Sequence, residues 1–277
     1  MNQENLSFLQ DNLKYLGFGD SGPLFDALKE QIVKEAKEFQ LFTEAYFDED
    51  SKIEAALYFR RGDLSDLYFF NKYQTLLISP DNPASEKRQT FYINKGMGIT
   101  FKEAFNLLQG RSVYKKLVSL DGEKYTAWVQ LNFEEKDHHE NYRTKQYGAR
   151  YGYDLEKVLE RYPILELQQE GMKTMLIRSL QRGNLQPVNF VKTNKTEKMN
   201  IEANPQFKTI NIYPEATKAP HKNNKKQLPP PMEEPAPDPV DPDKDGCGAE
   251  EEELVEESTE IKEPAAETGP TRKKSRK

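Results

Sequence analysis

The chain has 277 residues, enough for one large domain or two small ones. Every Phe, Tyr and Trp lies at or before Tyr213, whereas 11 of the 17 prolines follow it, so residues 214–277 cannot bury enough apolar surface to offset their ordering entropy and read as a disordered tail. The net charge of -6 argues against a strongly nucleic-acid-seeking chain but hides an asymmetry: residues 1–110 carry 12 Lys and Arg against 17 Asp and Glu, residues 111–213 carry 17 against 13, and residues 214–277 carry 11 against 16.

Leu6, Leu9, Leu13 and Leu16 recur at helical spacing and predict a helix over about 2–16, ended by Gly17. Pro23 suits the first turn of a second helix, whose apolar stripe is Leu24, Leu28, Ile32 and Ala36. The period then changes. Phe39–Phe47 and Ile53–Arg60 read as a hairpin across an acidic turn, and Leu67–Ile78 and Gln89–Ile93 as two more strands around a polar loop. Thr100 to Glu103 has capping-box spacing and starts a short helix that Gly110 closes.

Val113–Leu120 and Lys124–Phe133 flank Asp121-Gly122, a hairpin signal, and Glu134–Glu140 reads as a charged loop. Asp154 caps a helix to about Tyr162, which Pro163 stops. The next helix runs from about Glu170 to Arg182, with Met172, Met175, Leu176 and Leu180 expected inward. Pro187–Lys192 pairs with Lys198–Ala203 across Thr193-Asn194-Lys195, and Lys208–Tyr213 is the last strand. Hairpins dominate and no βαβ rhythm repeats, so the expected class is α+β, with antiparallel hairpin-rich sheets packed by short helices and followed by the disordered tail. The expected organisation is a unit over 1–110, a second α+β unit over 111–213, and the tail over 214–277.

No chemical motif survives its requirements. Gly19-Asp20-Ser21-Gly22-Pro23 imitates the nucleophile segment of a serine protease, but no histidine precedes Ser21 to serve as base. The same stretch matches a dinucleotide fingerprint, yet a helix precedes it where a strand is required. Arg61-Gly62-Asp63 reads as a turn. Asp137-His138-His139-Glu140 is the one local cluster of metal-ligand types, but adjacent residues diverge, so it reads as a solvated loop. No catalytic residues, metal or cofactor are assigned, and the chain leans away from being an enzyme.

Tyr142, Tyr147, Tyr151 and Tyr153 interleave with Arg143, Lys145 and Arg150, a pattern that can bind single-stranded nucleic acid by stacking and phosphate contact. Arg178 and Arg182, one helical turn apart, extend the basic set, as do Lys192, Lys195 and Lys198. The alternative is that the tyrosines pack on the sheet and the charges are solvated. The candidate nucleic-acid residues are Arg143, Lys145, Tyr147, Arg150, Arg178 and Arg182.

Cys247, the one cysteine, permits no intramolecular disulfide, and the N-terminus has neither a basic n-region nor an apolar core, so a cytoplasmic protein without a membrane span is expected. Six stretches carry a resemblance: Tyr92–Gly96, Thr100–Arg111 (TFKEAFNLLQGR), Tyr125–Leu131, Tyr151–Leu155, Ser179–Asn184 (SLQRGN) and, most specific of them, Glu202–Thr209 (EANPQFKT). They resemble a domain-of-unknown-function family of Bacteroidetes conjugative and other mobile elements, whose relatives are associated with topoisomerase genes. The resemblance covers most of residues 1–213. It implies a cytoplasmic bacterial protein linked to mobile-element DNA and brings no assigned reaction or site residues. The expected function is therefore a non-catalytic accessory or adaptor protein that binds a protein partner. The alternative is a DNA- or RNA-binding protein using the basic half.

Overall fold

In the computed structural model, residues 2–20, 22–79, 86–94, 98–119, 122–192 and 195–215 are described. Ser21, Asp121, Thr193, Asn194, Cys247 and the expected tail from 216 on lie outside that set. The architecture is α+β, with three antiparallel sheets and a few short helices.

Helix α1 (Gln3–Tyr15) is capped by the Asn2 side chain, which accepts from the Asn5 N–H, and it buries Leu6, Leu9 and Leu13. Helix α2 (Pro23–Val33) buries Leu28 and Ile32. Both cover the inner face of a four-stranded meander: β1 (Glu38–Tyr46), β2 (Lys52–Arg61), β3 (Tyr68–Ile78) and β4 (Lys87–Tyr92). Strict alternation on β2 sends Ile53, Ala55, Leu57 and Phe59 into this core. On β3 the extra residue Asn71 breaks the register, because Tyr58 faces Lys72 while Phe59 faces Phe70. That bulge keeps both Phe70 and Tyr73 inward.

Helix α3 (Phe101–Leu108) begins with the expected capping box: Thr100 accepts from the Glu103 N–H, and Glu103 accepts from the Thr100 N–H. Carbonyls at its last residue and just past its end are also satisfied. Lys87 Nζ donates to Leu108 O at 3.0 Å, and Gln130 Nε2 donates to Gly110 O at 3.0 Å.

The second sheet has the order β5 (Val113–Val118), β6 (Lys124–Lys136), β7 (Tyr142–Gly148). Two features differ from the sequence expectation. Strand β6 continues through Glu134, Glu135 and Lys136, and Tyr142–Gly148 is a strand. The loop between them is short because Asp137 Oδ1 accepts the backbone N–H groups of His139 and Asn141. This sheet stands between two cores. Val113, Val129 and Leu131 enter the first core, and Trp128, 4% exposed, enters the second. The first core therefore draws on residues beyond Gly110.

The third sheet has the order β10 (Thr209–Pro214), β9 (Lys195–Asn204), β8 (Gln186–Lys192). Helices α4 (Leu155–Leu159) and α5 (Glu170–Gln181) pack on it through Leu155, Val158, Leu159, Leu176 and Leu180. Asp154 caps α4 as expected, but the helix ends at Leu159 rather than near Tyr162. Past it, Ile164 forms an antiparallel bridge with Phe190, and Val191 N–H donates to Pro163 O, so the chain there is committed to the sheet. The expected inward pair on α5 is corrected too: Met172 and Met175 are 42% and 73% exposed.

Candidate binding surfaces and the polar seam

Three places hold the polar and apolar groups that could act on another molecule. The first is a seam where sequence-distant segments meet. Asn106 is fully buried, and its Nδ2 donates to Arg182 O at 2.7 Å and to Asn184 Oδ1 at 2.9 Å. Its Oδ1 accepts from Arg111 Nη2 at 2.7 Å. Gly183 fits this seam and little else would: its φ is +77°, and a Cβ there would lie 2.9 Å from Ser112 O. Across from Arg111, the buried carboxylate of Glu202 accepts from Asn211 Nδ2 at 2.7 Å and from Tyr213 OH at 3.1 Å. Asn106 and Arg111, Gly183 and Asn184, and Glu202 thus bring together the three segments TFKEAFNLLQGR, SLQRGN and EANPQFKT.

Charge is strained at the seam. Burial lowers the Arg111 guanidinium from its ordinary value, with Glu202 and Asp48 opposing the shift, and burial raises the Tyr213 phenol. Nearby, Lys102 lies over the rings of Phe47 and Phe105 at 4.5 and 4.7 Å and donates to Phe47 O. Burial, and then the Arg111 charge, brings its ammonium down to about 8. Of two surface depressions, one of about 340 Å3 lies on the outer face of the first sheet and one of about 640 Å3 at the β2–β3 turn, and neither includes Arg111, Lys102 or Glu202. The seam is packed protein that ties the halves together.

The second place is the outer face of the first sheet. By register, Phe42, Ala56, Gln74 and Thr90 form one row across it, and Gln40, Tyr58, Lys72 and Tyr92 another. No described helix covers this face, since α1, α2 and α3 all pack on the opposite one. Phe42 is 73% exposed and Tyr46 is 66% exposed. Ala56, short between Phe42 and Gln74, leaves the smaller depression, which Glu44, Leu76 and Arg88 border.

The third place is the basic half. Arg143, Lys145 and Tyr147 alternate along β7 on the Trp128 side of the middle sheet, opposite Asn132, Gln130 and Trp128. Arg150 follows in a short 3-10 turn, Ala149–Tyr151. Arg178 lies on α5 and Arg182 caps its C-terminus, at the end of the helix that meets β5. The six candidates therefore fall into two groups, one on β7 and the turn that follows it and one on α5.

Among the described residues the side chains of Arg143, Arg150, Arg178 and Arg182 are exposed and form no ion pair. The tyrosine rings are engaged within the fold. Tyr147 packs at a tilt against Tyr151, their ring centroids 4.9 Å apart, Tyr151 donates to Gln206 O and carries Lys208 over its ring, and Tyr142 packs edge-on to Phe133. Tyr153 meets Trp128 and donates to Thr209 O.

The remaining motifs are local structure. Asp63 holds Arg60, Gly62 N–H donates to Leu67 O, and the segment turns the chain after β2. His138 and His139 are exposed, and no group of three or more His, Cys, Asp or Glu among the described residues could hold a metal ion. No described helix is long and apolar enough to cross a membrane. No family model, curated protein or solved structure matches the chain.

Proposed function

We propose that the chain is a non-catalytic accessory or adaptor protein of a bacterial mobile genetic element, and that it docks a protein partner on the outer face of its first sheet. The observation that carries this reading is the uncovered sheet face, with Phe42 largely in solvent beside a depression at Ala56 and Tyr46 largely in solvent farther along β1. Large aromatics on a flat, rigid surface are the usual anchors of protein interfaces. The mobile-element setting rests on the resemblance of residues 92–209 alone, and a cytoplasmic location on that resemblance together with the single cysteine.

The test is affinity capture by the full chain from a bacterial host that carries the element, compared with Phe42→Asp and Tyr46→Asp. The reading expects a protein retained at high salt and lost with either variant. The same proteins retained by all three chains would contradict it.

A second reading, a DNA- or RNA-binding protein using Arg143, Lys145, Tyr147, Arg150, Arg178 and Arg182, has its own support: exposed arginines without carboxylate partners. Phosphate-driven binding would weaken steeply between about 50 and 200 mM salt.

A further inference from the structure

We propose that the outer face of α5 is a docking surface for duplex DNA, a surface that deepens the nucleic-acid reading and rests on it. The helix buries Leu176 and Leu180, and the opposite stripe, Gly171, Met175, Arg178 and Arg182, lies in solvent. These positions follow at i, i+4, i+7 and i+11, one face of a straight helix.

No carboxylate pairs with either arginine of this stripe among the described residues. Lys173, on the flank of the helix, takes Glu156 at 2.5 Å and Glu160 at 3.6 Å, and Glu170 adds its charge to the same ammonium. Glu166 is held by Asn189, whose backbone N–H and Nδ2 both donate to it. Arg178 and Arg182 are left as two guanidinium forks one turn apart, suited to bidentate contact with phosphates or with the O6 and N7 edge of guanine.

Shape favours a duplex over a single strand. A 12-residue helix is about 18 Å long and, with side chains, about 10–12 Å across, which fits the DNA major groove of about 12 Å. Met175, 73% exposed, offers the apolar contact that a thymine methyl accepts. Gly171 has an ordinary φ, and a Cβ there would meet nothing within 4 Å, so no neighbour in the fold demands glycine; its bareness lets the groove wall approach the backbone. A single strand would need stacking platforms; the rings of Tyr147, Tyr151 and Tyr153 are engaged within the fold, and the exposed Tyr114 and Tyr125 lie on the middle sheet rather than on α5. The deep, narrow major groove of duplex RNA would not admit the helix.

The test is fluorescence anisotropy of the full chain with a labelled DNA duplex of about 20 base pairs, one of its strands alone, and an RNA duplex of the same sequence, over about 50–200 mM salt. Duplex DNA is expected to bind most tightly. Arg178→Ala with Arg182→Ala should weaken that binding at least tenfold and lower the salt slope by about two. Arg178→Lys with Arg182→Lys should retain most phosphate contact, which separates lost charge from lost fold. Tighter binding to the single strand, or unchanged duplex binding by the alanine pair, overturns this surface while leaving the nucleic-acid reading standing. No binding to any of the three at the lowest salt overturns both.

Discussion

In the first half of the ordered chain two of the three arginines, Arg60 and Arg61, are ion-paired and Arg88 is not, whereas the exposed arginines of the second half form no ion pair among the described residues. In the first, Arg60 lies 3.2 Å from Asp63 and 3.6 Å from Glu38, and Arg61 lies 3.5 Å from Glu35. In the second, the ion pairs are made by lysines: Lys136 with Glu140, Lys157 with Asp154, Lys173 with Glu156, and Lys192 with Glu197. Arg143, Arg150, Arg178 and Arg182 are left exposed and unpaired among the described residues. Net charge alone does not show this. The second half has only a small excess of cations, yet the ion pairs there are made by lysine and these four guanidinium groups stay in solvent. The first half instead leaves aromatic surface uncovered.

The contrast can be broken at its join, where the largest effect is expected. Asn106→Ala strands the buried Arg111 guanidinium and leaves Arg182 O without its donor. It should cost about 3 kcal/mol, read as a lower urea midpoint, because removing one partner of a buried charged hydrogen bond exposes the full desolvation penalty. Gly183→Ala should be comparably damaging, since the positive φ and the 2.9 Å approach to Ser112 O are both backbone constraints. If either variant unfolds like the wild type, the seam is not what joins the halves.

The comparison can be sharpened with charge reversal. Arg143→Glu with Arg150→Glu should weaken duplex binding about threefold to tenfold if the β7 group shares the anion with α5, and should leave the urea midpoint within about 0.5 kcal/mol of wild type. A smaller effect is expected at Lys102. Its folded value, about 8, lies below its ordinary 10.5, so the folded state binds fewer protons than the unfolded state between those limits. The stability cost of charging it is fully present below pH 8 and is relieved as pH rises toward 10.5. Lys102→Met should therefore raise the melting temperature at pH 7, and the difference should shrink by pH 10; a constant difference would place the ammonium in solvent. The smallest effect is predicted for Arg60→Ala, an exposed pair worth well under about 1 kcal/mol, with no change in nucleic-acid binding.

The elements legible in the sequence are those set by short-range chemistry. The β1–β2 hairpin follows from alternation around an acidic turn, and α3 from a capping box that closes in both directions. Strand β7 was not legible, because its sequence, YRTKQYG, alternates charge and amide rather than apolar groups. It is a strand because β6 pairs with it and because Gln89 grips the backbone of Tyr142 from β4, a partner 53 residues away. Met172 and Met175 resembled core residues at helical spacing, but the buried stripe of α5 is rotated toward Leu176 and Leu180. The polar seam was out of reach for the same reason as β7: Asn106 and Asn184 lie 78 residues apart, and only the folded chain shows that an asparagine and a glycine serve one join.

The central claim is that the molecule binds others through two chemically different surfaces, an apolar one on the first sheet and a cationic one on the second half. The measurement that tests it most directly is capture by the full chain from its host at about 50 and 500 mM salt, wild type against Phe42→Asp, with protein and DNA quantified together. The account predicts a protein partner that survives high salt and disappears with Phe42→Asp, and DNA that disappears with salt but not with that variant. A partner that follows the DNA in every condition would contradict it, because one cationic surface would then explain all the binding.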